Sequence, residues 1–307
     1  MPIRLDHPVV RPRLGPAQRD RRPAGRRSGR PHIREGWAPG GSAGHASTAA
    51  GRADLGTFLR AHRPTLVVNA AGVVWQSDER RMREVNVAFV RRLVDELGVL
   101  AGPPRLVQIG SVHEYGPVPE GTALDEDTPP RPVGPYGTTK LAATRSVLDA
   151  ADLDAVVLRV ANACGPGAPP ESLPGMIARH LAAAEPGPLR LAPLLAYRDF
   201  VDVRDVAAAV VAAGAAEAGG RLFNIARGET VPVRHVATRL IALSGRHVRI
   251  VEEPPPVRAR TDAPWQRVLI DRAVRSLGWK PERDLDASLR DLLAAPGQPR
   301  HDSEGRQ

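Results

Sequence analysis

From residue 54 onward, short apolar runs alternate with longer helix-forming segments, and this alternation restricts the chain to a parallel sheet covered by helices. "TLVVNAAG" (65–72) reads as a buried strand closing in a loop of small residues, and "SDERRMREVNVAFVRRLVDELGVL" (77–100) carries the period of an amphipathic helix. "PRLVQIGS" (104–111) is the next apolar strand, a Pro-rich loop runs to Pro135, a helix spans Tyr136 to Ala150, and "DAVVLRV" (154–160) is another strand. Strands joined through helices pair in parallel, and ligands then gather at their carboxyl ends. The expected fold is therefore α/β, a Rossmann-like doubly wound sheet. After about Asn162 the pattern loosens into shorter elements, including "LPGMIARHLAAAE", "RDVAAAVVAAGAAE" and "VPVRHVATRLIAL", which suggest a smaller lobe over the sheet's edge.

A chain of 307 residues with 42% apolar content can bury one large core or two unequal ones. It has no run of about 18 apolar residues and no charged-then-apolar leader, so no membrane partner is expected and the cytoplasm is the default location. The single cysteine, Cys164, excludes a disulfide framework and a multi-cysteine zinc site, and no metal is expected.

A net charge of +9 would suggest a nucleic-acid partner, but residues 1–53 hold 11 Arg and only 3 acidic residues, which leaves the body nearly neutral. That segment also holds 15 Gly or Pro, few β-branched residues and no apolar period, so it is expected to be disordered or poorly packed. It reads as a nucleic-acid arm, a flexible extension, or translation from a displaced reading frame of a GC-rich gene. The abrupt compositional change near Ala53 favours the displaced frame, and the lack of interleaved aromatics argues against nucleic acid.

"GPYGTTKLAA" (134–143) puts Tyr136 and Lys140 one helical turn apart on one face. A cation held near a phenol favours the phenolate and lowers its pKa, which prepares the tyrosine for proton exchange. The spacing alone also occurs by chance on solvated helices. The strand "RLVQIGS" delivers Ser111 at its carboxyl end, where a hydroxyl can bond the same substrate oxygen, so Ser111, Tyr136 and Lys140 form a candidate catalytic group.

Seven motifs in order carry a resemblance: "NAAG" (69–72), "REVNV" (83–87), "GSVHEYG" (110–116), "PYGTTK" (135–140), "LRVANACGPG" (158–167), "RDFVDVRDVA" (198–207) and "LGWKP" (277–281). With them, the stretch from Asp54 to about Leu293 resembles an extended short-chain dehydrogenase/reductase of the NAD-dependent epimerase/dehydratase family. The resemblance implies NAD or NADP as cofactor and a nucleotide sugar as substrate. It implies Ser111 as the hydrogen-bonding hydroxyl, Tyr136 as acid/base, and Lys140 as the residue that binds the nicotinamide ribose and tunes the tyrosine. Asn69, Ala70 and Ala71 would line the dinucleotide and Asn86 would brace their loop; a helix cap or tight strand exit would explain the same residues.

Asn162 and Arg198 match positions that hold the nucleotide sugar, where a guanidinium fork suits a diphosphate. A surface ion pair with Asp199 is the plainer account of Arg198. In "VRARTDAP", Arg258 or Arg260 could supply a second phosphate contact, with Arg260 preferred. The implied organisation is an aberrant basic segment at 1–53, a dinucleotide-binding part at 54–161 with parts of 200–226, a sugar-nucleotide lobe at 162–297 and a tail at 298–307. A homodimer through the 77–97 and 136–150 helices is also implied by relatives. The family's G-x-x-G-x-x-G turn, which receives the pyrophosphate on backbone N–H groups, has no counterpart in residues 1–53.

Dehydratases of the family carry a carboxylate where this chain has His113, so dehydration is disfavoured; 3,5-epimerisation is disfavoured because "ESLPGMI" lacks a histidine. His113 is then a substrate contact or an ordinary loop histidine. A 4-ketoreductase or a 4-epimerase remains, and the motif series is most similar to the NDP-4-keto-6-deoxyhexose reductases. A catalytically impaired relative is the further alternative.

Overall fold

The computed structural model describes residues 49–74, 77–217, 222–253 and 264–295. The expectations for residues 1–48, for Arg258 and Arg260, and for the tail at 298–307 concern positions outside the described residues.

Helix α1 (Ala49–His62) opens the described chain, so residues 49–53, expected with the rest of 1–53 to be disordered or poorly packed, are instead its first turns, and the helix crosses the compositional boundary at residue 53. Strand β1 (Leu66–Asn69) follows. The long helix expected at 77–100 is built in three pieces: α2 (Glu79–Arg83), a π-helical turn (Glu84–Ala88) and α3 (Phe89–Gly98). Asp78 caps its start, accepting the Arg81 N–H at 2.7 Å. Strand β2 (Arg105–Ser111) ends in a single 3-10 turn at Val112–Glu114, and a long connection containing β3 (Ala123–Leu124) leads to α4 (Pro135–Asp149). Pro135 sits in the first turn of α4, where its missing N–H costs nothing.

Strands β4 (Ala155–Val160) and β5 (Asn162–Cys164) follow, then α5 (Leu173–Leu181), β6 (Leu189–Leu191), β7 (Tyr197–Asp202) and α6 (Val203–Ala215). The described chain closes with β8 (Leu222–Ile225), β9 (Thr230–Pro232), α7 (Val233–Ser244), β10 (Ile250–Glu252), β11 (Arg267–Val268), α8 (Asp271–Leu277) and α9 (Leu285–Ala294).

The main sheet has the order β1-β2-β4-β8 and is parallel throughout, with Val67 opposite Leu106, Val107 opposite Val156 and Leu158 opposite Phe223. All six residues of β4 are buried, as a strand covered on both faces requires. Helices α4 and α6 each pack on both β2 and β4. This is the Rossmann-like α/β sheet that the alternation of elements implies. Strands β5, β7 and β9 make a separate small sheet, and β6 pairs with β10.

Two apolar clusters match these sheets. Val107, Leu158, Phe223, Ile225 and Trp279 belong to the first, and Ile177, Leu181, Leu240 and Leu289 to the second. Strand β7 feeds both: Val201 lies in the first and Phe200 in the second, because successive side chains of a strand leave opposite faces. Burial of each cluster is the main favourable contribution to folding.

The "LGWKP" segment fastens the chain to α6. Trp279 is buried and its indole N–H donates to the Asp205 carbonyl at 2.9 Å, while the buried Asp205 carboxylate accepts the Arg283 N–H at 3.0 Å and the Arg283 guanidinium at 2.6 Å. Trp279→Ala is expected to cost about 3–5 kcal/mol, since it empties a large buried site, and Trp279→Phe about 1 kcal/mol. Urea denaturation midpoints of the two variants measure this difference.

Candidate active site

The site is assembled at the carboxyl ends of β1 and β2. Asn69, the last residue of β1, is buried; its amide donates to Gln108 Oε1 at 2.8 Å and its Oδ1 accepts the Ala71 N–H at 3.1 Å. The side chain thus turns the chain through Ala70 and Ala71 while Gln108, in the middle of β2, holds it in place.

Asn86 ties this loop to two helices. Its Oδ1 accepts the Val73 N–H at 2.9 Å, its Nδ2 donates to the Val73 carbonyl at 3.0 Å, and the same amide donates to Thr139 Oγ1 at 3.1 Å. Thr139 in turn donates to the Tyr136 carbonyl at 2.9 Å. Asn86 lies within the π-helical turn, a local widening often found at functional sites, and is almost fully buried there. A Cβ on Gly72 would stand 3.4 Å from Asn86 Oδ1 and 4.0 Å from Lys140 Nζ, so the small-residue loop runs directly beside the lysine.

Ser111 ends β2 and caps the 3-10 turn: its Oγ accepts the His113 N–H at 3.2 Å, and the Glu114 carboxylate accepts the Ser111 N–H at 2.9 Å. This reciprocal capping box fixes the serine at the sheet's edge. Gly137 then lets α4 approach. A Cβ there would fall 2.5 Å from the His113 carbonyl oxygen, so any larger residue would push the helix off the turn.

Tyr136 is half-buried, its ring meets His113 edge to face at 5.7 Å, and the Ser111 side chain interacts favourably with its phenolate form. Lys140 is buried and its ammonium donates to the Ile109 carbonyl. Ser111, Tyr136 and Lys140 are therefore brought together.

The electrostatics differ from the simple picture of a lysine acidifying a phenol. Burial pushes the Tyr136 phenol above its usual value, the Ser111 side chain opposes this, and the nearby Glu114 charge adds to it. Burial also draws the Lys140 ammonium below its usual value, against an opposing effect of Glu114. Desolvation is the largest effect on both groups, and the phenol keeps its proton at neutral pH.

On β5, Asn162 is half-buried and donates to the Asp199 carbonyl at 2.8 Å and to Gln266 Oε1 at 3.1 Å. Arg198 is buried on β7, with Nη1 donating to the Tyr197 carbonyl at 2.9 Å. The Asp199 carboxylate accepts the Arg227 and Gly228 N–H groups at 2.8 and 2.9 Å. Burial pushes that carboxyl up to about 7, although the two amides pull it down.

Glu114, Thr139, Gly137, Gln108 and Arg159 hold the expected residues without being expected themselves. Arg159 had a signal: a lone guanidinium inside the apolar run "AVVLRV" must find a buried partner, and it pairs with Glu114 at 2.9 Å.

These residues fit the nicotinamide end of a dinucleotide, since the Asn69–Gly72 loop has only small side chains after Asn69 and runs beside the buried Lys140 ammonium. No helix among the described residues is long and apolar enough to cross a membrane.

Residues 17–226 match the model of the NAD dependent epimerase/dehydratase family. The chain is 40% identical over 250 residues to a dTDP-6-deoxy-L-talose 4-dehydrogenase (NAD(P)(+)) of Kitasatospora kifunensis, covering 79% of each protein. It is 27% identical over 243 residues to a GDP-6-deoxy-D-mannose reductase of Pseudomonas aeruginosa, covering 75% of this chain and 80% of that one. Among solved structures, RMD from Pseudomonas aeruginosa complexed with NADPH superposes with a TM-score of 0.71 at 25% identity, over 79% of this chain and 84% of that chain.

Asn86→Ala is expected to leave the Val73 N–H and carbonyl without partners and to cost about 1–3 kcal/mol. Amide hydrogen exchange at Val73 should accelerate, while exchange in β4 follows only the loss of global stability.

Proposed function

The chain belongs to the NAD-dependent epimerase/dehydratase family, and from that premise we propose that it is an NAD(P)-dependent 4-ketoreductase acting on an NDP-4-keto-6-deoxyhexose. The observation that carries this reading is the placement of Ser111 at the carboxyl end of β2 under the first turn of α4, which carries Tyr136 and the buried Lys140. Reduction of a ketone needs an acid that still holds its proton, and a phenol raised by burial is that acid.

In this reading the Ser111 hydroxyl donates to the sugar C4 oxygen and stabilises the alkoxide that develops there. Tyr136 delivers its proton to the same oxygen. Lys140, held by the Ile109 carbonyl, orients the nicotinamide ribose and supplies positive charge as the phenolate forms. Asn69, Ala70 and Ala71 line the dinucleotide, and Asn86 keeps their loop against α4. When bound, the nicotinamide supplies the hydride for C4. Asn162, Arg198 and His113 contact the nucleotide sugar, the buried guanidinium of Arg198 suiting its diphosphate.

A sugar-nucleotide reductase of this kind works in the cytoplasm, and we place the protein there. The groove between α3 and α4, lined by Val87, Ala88, Arg91, Thr138 and Ala142, is proposed as the seam of a homodimer. Light scattering should then give twice the mass of one chain, and Ala88→Arg, at an exposed position, should return it to one; a wild-type monomer contradicts the seam.

The reaction is tested by following nicotinamide absorbance with an NDP-4-keto-6-deoxyhexose, with the 4-hydroxy sugar as control. Stoichiometric oxidation of NADH or NADPH is expected. Interconversion of 4-hydroxy epimers with no net cofactor consumption would assign the chain to the 4-epimerases instead. Tyr136→Phe should abolish turnover with the fold intact; activity within about tenfold of wild type, roughly 1.4 kcal/mol of barrier, would remove Tyr136 from its role.

A further inference from the structure

Glu114, three residues past Ser111, is fully buried and is bonded to three different elements. Its Oε1 accepts the Ser111 N–H from the end of β2 at 2.9 Å and the Thr144 hydroxyl from α4 at 3.0 Å. Its Oε2 accepts Arg159 Nε from β4 at 2.9 Å. Thr144 follows Lys140 by four residues as Lys140 follows Tyr136, so the three lie along one stripe of α4. Gly110 makes the space: a Cβ there would stand 2.8 Å from Glu114 Oε1. The arrangement continues inward, with the Arg159 guanidinium 4.6 Å over the Tyr115 ring and the Tyr115 hydroxyl donating to Asn224 at 2.7 Å.

We propose that Glu114 is a positioning residue for Tyr136 and Ser111, one carboxylate that locks the end of β2 to the Tyr136 helix and keeps a negative charge behind the phenol. The claim rests on the proposed role of Tyr136 and adds a cause for its protonated state. Ser111 alone could be capped by any acceptor. Only a carboxylate with two oxygens can take the serine amide and the threonine hydroxyl on one side while pairing with a guanidinium on the other. The polar and charged groups around the phenol are Ser111, His113 and Glu114 from the end of β2 and its turn, Lys140 from α4 itself, and Arg159 from β4 behind Glu114. The 69–72 loop brings no ionisable side chain. Glu114 is thus the negative charge in this set, and it acts on both Tyr136 and Lys140.

The chain has only three tyrosines, Tyr115, Tyr136 and Tyr197, so selective 13C labelling of the tyrosine ring carbon bearing the hydroxyl gives three signals that Tyr→Phe variants assign. Titration of these signals requires neither cofactor nor sugar, which separates this proposal from the proposed reaction. Glu114→Gln keeps the size and removes the charge. Its Tyr136 signal should titrate at least half a pH unit lower than in wild type, about a threefold larger ionised fraction at the same pH. Because that variant leaves Arg159 buried without its partner and can fail to fold, Glu114→Gln/Arg159→Met removes both charges; its Tyr136 signal should titrate between the other two. If Tyr136 stays protonated to the same pH as wild type in either folded variant, Glu114 does not set its ionisation and the proposal is overturned. A Tyr136 signal that shifts as expected in an enzyme with no reductase activity would uphold the positioning and reject the reaction.

Discussion

Beneath the Ser111, Tyr136 and Lys140 side chains, a completely buried carboxylate faces a guanidinium inside the central sheet, and the rest of the site is arranged around that pair. A carboxylate in such surroundings costs several kcal/mol in lost hydration unless the opposite charge and further hydrogen bonds replace the water. Arg159 supplies the charge, and the Ser111 amide and Thr144 hydroxyl supply the bonds. Each of these partners sits on a different element. A requirement to satisfy one buried charge therefore becomes a requirement on how β2, β4 and α4 are placed relative to each other.

The same logic governs the loop after β1. Asn86 satisfies both main-chain groups of Val73 and reaches Thr139, so a side-chain amide does what a neighbouring strand would do. The π-helical turn that carries Asn86 adds a residue to the helix and carries the side chain into the interior. Two polar clamps, one on each strand end, thus leave a rigid edge at which small residues and hydroxyls are displayed. Rigid support of this kind is what proton transfer requires, since small displacements of reacting groups are expensive.

Much of this was legible in the sequence because it follows from periodicity. The apolar runs around Val67, Val107 and Val157 gave the parallel strands, and the small residues after Asn69 with the serine after Gly110 marked where the strands end. The spacing of Tyr136 and Lys140 located the helical face. What periodicity does not report is long-range polar satisfaction: Asn86 and Thr139 are 53 residues apart and Glu114 and Arg159 are 45 apart, and each looks ordinary alone. The expectation that Lys140 acidifies Tyr136 failed for a related reason. Spacing puts a phenol and an ammonium on one helical face but says nothing of the desolvation that is the largest effect on both. Arg260, chosen from the pattern of "VRARTDAP", lies outside the described residues.

A protonated phenol serves a net transfer of hydride onto a sugar carbonyl, and isotope transfer tests that pairing most directly. Nicotinamide carrying deuterium at the transferring C4 position would be supplied with an NDP-4-keto-6-deoxyhexose, and the sugar product would be analysed by NMR. One deuterium at C4 of a single 4-hydroxy product is expected, in equal amount to the cofactor oxidised. Deuterium that remains in the cofactor while 4-hydroxy epimers exchange would contradict that pairing.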